Sequence, residues 1–181
     1  PSATTSGPSS SRGSPAATDA RAASVTGVTV RGPDEGVLMR VHDILTSKGS
    51  AEVFTIAPDA TVRELLDVLA ERDIGALVVS DDGTGILGIV SERDIVRKLR
   101  DVPNARDASV ADIMTTDVRV CSPEDAFADL MAVMTEHRVR HVPVLDDGRL
   151  VGVLSIGDAV KYRMGQLELE RDQLTSYVAG G

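Results

Sequence analysis

Two short stretches of this 181-residue chain, GIVSERD at 88–94 and GVLSIGD at 152–158, set a glycine, a serine hydroxyl and a carboxylate at one spacing. Ser91-x-x-Asp94 and Ser155-x-x-Asp158 each fall where an apolar run gives way to a helical pattern. Such a pair can close a helix N-terminus on itself, the serine capping and the aspartate returning a bond from the third helical position. The same groups can also converge on a ligand. Helix N-terminal amides and a hydroxyl suit a phosphate, and a carboxylate can accept hydrogen bonds from two ribose hydroxyls. The two uses are compatible.

Three other constellations carry less. Gly83-x-Gly85-x-x-Gly88 has the spacing of a dinucleotide fingerprint. That fingerprint needs a strand before it and a helix directly after; here the strand-like ILGIVS is interleaved with the glycines instead. Gly83 and Gly148 read better as turn residues that accept positive φ. Glu136-His137 and His141 superficially suggest a zinc-binding helix, but His141 opens a strand-like run, so no metal site is expected and the histidines are read as solvated or cleft-lining, with His141 a candidate ligand contact. Cys121 lies in a β-rich run as a small buried hydrophobe, and a lone cysteine excludes an intrachain disulfide. No catalytic constellation is repeated, so a non-enzyme is expected.

Composition bounds the class. Hydrophobic residues make up 42% of the chain and aromatics only 2%, so Val, Leu, Ile, Met and Ala must build the core of a soluble globular protein. The net charge of −9 repels phosphate backbones, which argues against a nucleic-acid partner. No apolar run is long enough to span a bilayer and no signal-peptide core is evident, so no membrane partner and a cytoplasmic location are expected. Residues 1–38, rich in Ser, Ala, Thr, Gly and Pro, read as a disordered tail that cannot offset its ordering entropy.

The remainder repeats. VHDILT at 41–46 returns as VADIMT at 110–115, and residues 53–83 align without a gap to 118–148. After a one-residue gap, 86–99 align to 150–163. Residues 39–101 therefore form one repeat, 102–109 a linker, 110–164 a second repeat and 165–181 a helical extension. In each copy a β-rich run leads through Pro58 or Pro123 to a helix, with Val62, Leu65, Leu66 and Leu69 matching Phe127, Leu130, Met131 and Met134 at helical spacing. Two apolar runs joined by Asp-Gly follow, then a second helix. The fold class is α/β (α+β), two β-α-β-β-α repeats. Beyond them Val160, Met164, Leu167, Leu174 and Val178 form an apolar stripe, suited either to packing back or to a dimer contact.

The DILT and DIMT leaders, the paired prolines, HVPV before the hairpin, and the closing GIVSERD and GVLSIGD together resemble a tandem pair of CBS domains. The resemblance covers roughly residues 40–164. It implies two copies packed through their sheets with pseudo-two-fold symmetry, leaving two clefts for an adenosine-containing ligand such as AMP, ATP, NAD or S-adenosylmethionine. That ligand would be regulatory, with no cofactor required. The resemblance places ribose-binding acids at Asp94 and Asp158, phosphate contacts at Ser91 and Ser155, and adenine contacts at Thr55 and Val120. Arg93 and Arg97 become phosphate partners by charge, whereas the second copy has Gly157 and Lys161 there, so the clefts should differ. It further implies a homodimer. With no room left for a fused effector, signalling would pass to a protein partner in trans.

Overall fold

The computed structural model describes residues 24–27, 39–49, 53–99 and 105–179. The expected disordered tail lies outside these residues except for Ser24–Gly27, which corrects that expectation locally. These four residues form strand β1, paired in parallel with β5 (Asp117–Val120) from Ser24↔Asp117 to Gly27↔Val120. The run overlaps VTGVTV, rich in β-branched residues, and it supplies partners to backbone groups on the edge of β5.

Helix α1 (Val41–Ser47) comes next, followed by β2 (Thr55–Ile56), α2 (Val62–Arg72), β3 (Ala76–Val79), β4 (Gly88–Ser91) and α3 (Glu92–Leu99). The second repeat runs α4 (Val110–Ile113), β5, α5 (Phe127–Glu136), β6 (His141–Asp146), β7 (Arg149–Ser155) and α6 (Ile156–Ala179). In the first copy β2 pairs parallel to β3, and β3 antiparallel to β4. In the second, a parallel bridge from Cys121 to Val144 joins β5 to β6, and β6 pairs antiparallel with β7. The expected β-α-β-β-α order is present twice.

The repeat along the chain is not the unit that packs. Val41 and Ile44 of α1 are buried with Leu130, Met134, Val142, Val144 and Leu154 of the second copy. Val110 and Ile113 of α4 are buried with Leu65, Leu77, Val79 and Val90 of the first. Matching backbone bonds dock the two leaders: Val41 N–H to Asp125 C=O (3.0 Å) mirrors Val110 N–H to Ala60 C=O (2.8 Å). Likewise Phe127 N–H to Met39 C=O (2.8 Å) mirrors Val62 N–H to Ala108 C=O (3.0 Å). Each copy lends its leader helix to the other core, so neither core closes alone. That exchange is what fixes the two copies face to face.

Local chemistry explains the element ends. Thr61 and Glu64 form the expected capping box at the start of α2, with Glu64 N–H donating to Thr61 Oγ1 at 3.2 Å and Thr61 N–H to Glu64 Oε2 at 2.7 Å. The two Asp-Gly hairpins differ. Asp147 (φ 46°) and Gly148 (φ 77°) make the expected two-residue turn, whose paired positive φ angles match strand twist. In the first copy a longer loop runs from Ser80 to Leu87, tied by the Asp82 carboxylate, which accepts bonds from the Thr84 and Gly85 amides at 2.8 Å each. Those bonds hold the Asp82 carboxyl well below the usual carboxylate range.

Candidate functional site

The Ser-x-x-Asp groups are helix caps first. Ser91 N–H and Oγ–H both donate to Asp94 Oδ2, at 2.9 and 2.6 Å, and Ser155 N–H and Oγ–H donate to Asp158 Oδ2 at 2.8 and 2.7 Å. Each box uses only Oδ2, so the second oxygen lies outside it. In the first copy Asp94 Oδ1 accepts a long bond from Thr115 Oγ1, at 3.4 Å. Thr115 belongs to the leader of the other repeat. Capping therefore fixes the position of each carboxylate at the boundary between the two copies.

Two clefts open there. Cleft 1, about 430 Å³, brings Ser91, Arg93, Asp94 and Arg97 from the first copy against Thr115, Asp117–Arg119 and His137–His141 from the second. Cleft 2, about 310 Å³, brings Ser155 and Asp158 from the second copy against Val53, Phe54 and Asp73–Ala76 from the first. Gly75, Ala76 and His141 border both clefts, with the His141 ring 3.3 Å from where a Cβ on Gly75 would stand. The expectation that His141 lines a cleft holds for both. Burial pushes the His141 imidazole below its ordinary value, outweighing the attraction of Asp158.

The carboxylates meet different neighbours. Lys48, from the first leader, sets its ammonium 3.1 Å from Asp158 Oδ2 and donates to Val153 C=O at 3.0 Å. Burial raises the pKa of Asp158, but bonds from Ser155 and Lys48 outweigh it and hold the carboxyl below its usual range. The ion pair also walls cleft 2 from an outer groove of about 460 Å³, and Lys161 lines that groove rather than the cleft. That corrects its expected place: on α6 it lines the outer groove together with Tyr162 and Gln166. Arg93 spans the copies, its Nη1 donating to Arg138 C=O at 3.1 Å.

The residues expected at the adenine, Thr55 and Val120, do not themselves line the clefts. Val120 is 4% exposed and sits in the core; Asp117, Val118 and Arg119 line cleft 1 instead, nearer the start of β5. Thr55 pairs with Val78 in the sheet, while its neighbours Val53 and Phe54 line cleft 2. Lining residues outside the expected set include Lys48, Phe54, Arg119, Arg138 and Arg140. The gap-free alignment already held a signal for four of them, since it pairs Phe54 with Arg119, Asp73 with Arg138, and Gly75 with Arg140. Lys48 had none, because its partner lies 110 residues away.

The backbone defines a pseudo-two-fold pair of α/β repeats with a cleft on either side of the shared waist. A model of the CBS domain matches residues 41–101 and again 110–165, and the chain belongs to that family. It is similar to the mitochondrial CBS domain-containing protein CBSX3 of Arabidopsis thaliana, 32% identical over 149 residues, spanning 78% of this chain and 72% of that protein. Its fold is similar to the CBS-domain containing protein ATU1752 from Agrobacterium tumefaciens, with 42% identity and a TM-score of 0.65 over 69% of this chain and 99% of that one. It is also similar to the CBS domain pair of protein MJ0100, solved with 5-methylthioadenosine and S-adenosyl-L-methionine, with 25% identity and a TM-score of 0.63 over 71% of this chain and 98% of that one. Among the described residues no helix is long and apolar enough to cross a membrane.

Proposed function

We propose that the chain is a non-enzymatic regulatory module that binds an adenosine-containing ligand between its repeats and passes the occupancy on to a partner. The observation that carries the reading is the crossed construction of the clefts. Each sets a capped, rigid carboxylate from one copy opposite the leading run of the other, so a bound ribose and base would touch both copies at once. A ligand that prefers one relative arrangement of the copies shifts the population toward it. The pair in MJ0100 that holds two adenosine compounds supports this choice of ligand class.

Calorimetric titration with AMP, ATP, NAD and S-adenosylmethionine tests the reading. Asp94→Asn and Asp158→Asn are the variants of choice, because asparagine keeps an oxygen for the serine amide and spares the helix cap. Binding of at least one compound, weakened in the matching variant, is the expected result. No binding by any of the four, or unchanged binding in the double variant, rules it out.

The partner includes a second copy of the chain. Val160, Met164, Leu167, Leu174 and Val178 of α6 are all exposed, at 46% to 79%. From Leu167 to Ala179 the helix is exposed on every face, and so short a helical stretch is marginal alone in water. Residues 160, 164, 167, 171, 174 and 178 alternate steps of four and three, the seam of a coiled coil with Arg171 as its one charged position. Light scattering should give the mass of two chains, falling to one in Leu167→Asp/Leu174→Asp. A single-chain mass for the unaltered protein rejects the dimer.

A further inference from the structure

The two clefts are built on one backbone plan, so their linings can be compared position by position. Arg119 of cleft 1 stands where cleft 2 has Phe54, Arg138 where it has Asp73, and Arg140 where it has Gly75. Arg93 corresponds to Gly157, and the counterpart of Arg97, Lys161, lies outside cleft 2. The backbone supports the comparison: Arg138 and Asp73 both hold the left-handed conformation, each at φ 53°.

The result is an inversion of charge. Cleft 1 sets five arginines against three carboxylates, Glu92, Asp94 and Asp117, with His137 and His141 at its edge. Cleft 2 sets one lysine against Asp73 and Asp158, and that lysine already neutralises Asp158. Phe54 adds an aromatic ring to cleft 2, with the Arg72 guanidinium 4.7 Å above the ring centroid. In a chain of net charge −9, so dense a cluster of guanidiniums marks a place where anions are drawn in against the general field.

We infer that the clefts take ligands of different charge class: cleft 1 a nucleotide with at least two phosphoryl groups, cleft 2 an adenosine compound without phosphate. The inference rests on the adenosine reading above and sharpens it. A guanidinium fork engages phosphate oxygens in pairs, so one phosphate occupies about two forks. Arg93 is partly engaged by the Arg138 carbonyl, and Arg119 lies 3.7 Å from Asp117. Arg97, Arg138 and Arg140 still line the cleft around the capped Asp94, more cationic capacity than one phosphate fills. Cleft 2 offers a second phosphate no comparable partner.

The test titrates the full chain with adenosine, AMP, ADP and ATP, with inorganic tripolyphosphate as competitor. ATP should bind at least about 10-fold more tightly than AMP, with an affinity that falls steeply as salt rises, while adenosine binding stays insensitive to salt. Tripolyphosphate should displace ATP. Arg138→Asp/Arg140→Gly gives cleft 1 the residues that cleft 2 carries on the same backbone, and should abolish the preference for ATP while adenosine still binds. Asp73→Arg should raise the affinity of cleft 2 for ATP, a gain that a misfolded variant cannot mimic. Equal affinity for adenosine and ATP, or failure of tripolyphosphate to compete, overturns the charge division and leaves the adenosine reading standing. No binding by any of the four overturns the charge division, and the adenosine reading falls with it once NAD and S-adenosylmethionine also fail to bind.

Discussion

The two repeats share a fold down to individual backbone bonds, yet their clefts share little but the capped carboxylate. The leaders dock through the same bonds, and the Ser-Asp boxes superpose in kind. What differs is the charged and aromatic lining: Arg119 against Phe54, and Arg138 against Asp73. The lesson is a division of labour within one duplicated unit. Residues that hold the copies together stayed matched, whereas residues on the cleft walls did not.

The largest test of that symmetry is in the core. Ile44 and Ile113, 1% and 4% exposed, are the leader residues each copy lends to the other. Truncating either to alanine should cost about 2–5 kcal/mol, the usual range for a buried large-to-small change. Denaturant unfolding should show both variants losing stability by similar amounts with one cooperative transition. Two separate transitions in either variant would mean that the cores are not mutually dependent.

A smaller effect sharpens the comparison, because the symmetry is broken at the two strand glycines. A Cβ on Gly88 would stand 2.9 Å from the Thr115 carbonyl oxygen and 2.8 Å from Met114 Sδ. On Gly152 it would meet only the Leu45 Cδ2 methyl, at 2.6 Å. Backbone cannot move aside as a side-chain end can. Gly88→Ala should therefore destabilise by roughly 1–3 kcal/mol, with Gly152→Ala nearer the low end of that range. Equal losses in thermal melts would contradict the asymmetry.

These glycines also show what was legible in the sequence. Gly88 falls in a phosphate-binding spacing, but its reason is the close approach of Met114 and Thr115, just past α4, which no local pattern reveals. The repeat, the helices and the capped Ser91–Asp94 and Ser155–Asp158 pairs were readable, because periodicity and capping act over three or four residues. Lys48 was not, since only the exchange of leaders carries it to Asp158. Nor was the displacement of the lining from Val120 to Asp117–Arg119, because alternation along a strand does not say which end of it borders a cleft. The exposure of α6 was likewise undetermined: a stripe specifies a face, not what covers it.

Lys48→Met probes the second cleft more gently. It removes the ammonium beside Asp158 while keeping a long apolar stem. The ion pair is over one-third exposed on the lysine side, so little stability should be lost. The Asp158 carboxyl should then titrate higher, and adenosine affinity in cleft 2 should change several-fold, while ATP affinity in cleft 1 stays put. A change in both clefts together would show that they are not separable.

The smallest expected effect concerns the waist, where His141 occupies the position that Ala76 holds in the first copy. Its pKa in the fold lies below the ordinary 6.5, because burial disfavours the imidazolium. The unfolded chain therefore binds more protons at this site than the folded one, and stability falls as pH drops through about 6.5, levelling below the folded value. Asp158 and Glu92 oppose the shift, while Lys48 and Arg140 reinforce it. His141→Ala, the residue its counterpart carries, should flatten the dependence of Tm on pH between about 7.5 and 5.5 without altering it at higher pH. A slope unchanged in that variant would place the proton uptake elsewhere and leave the waist without a titrating group.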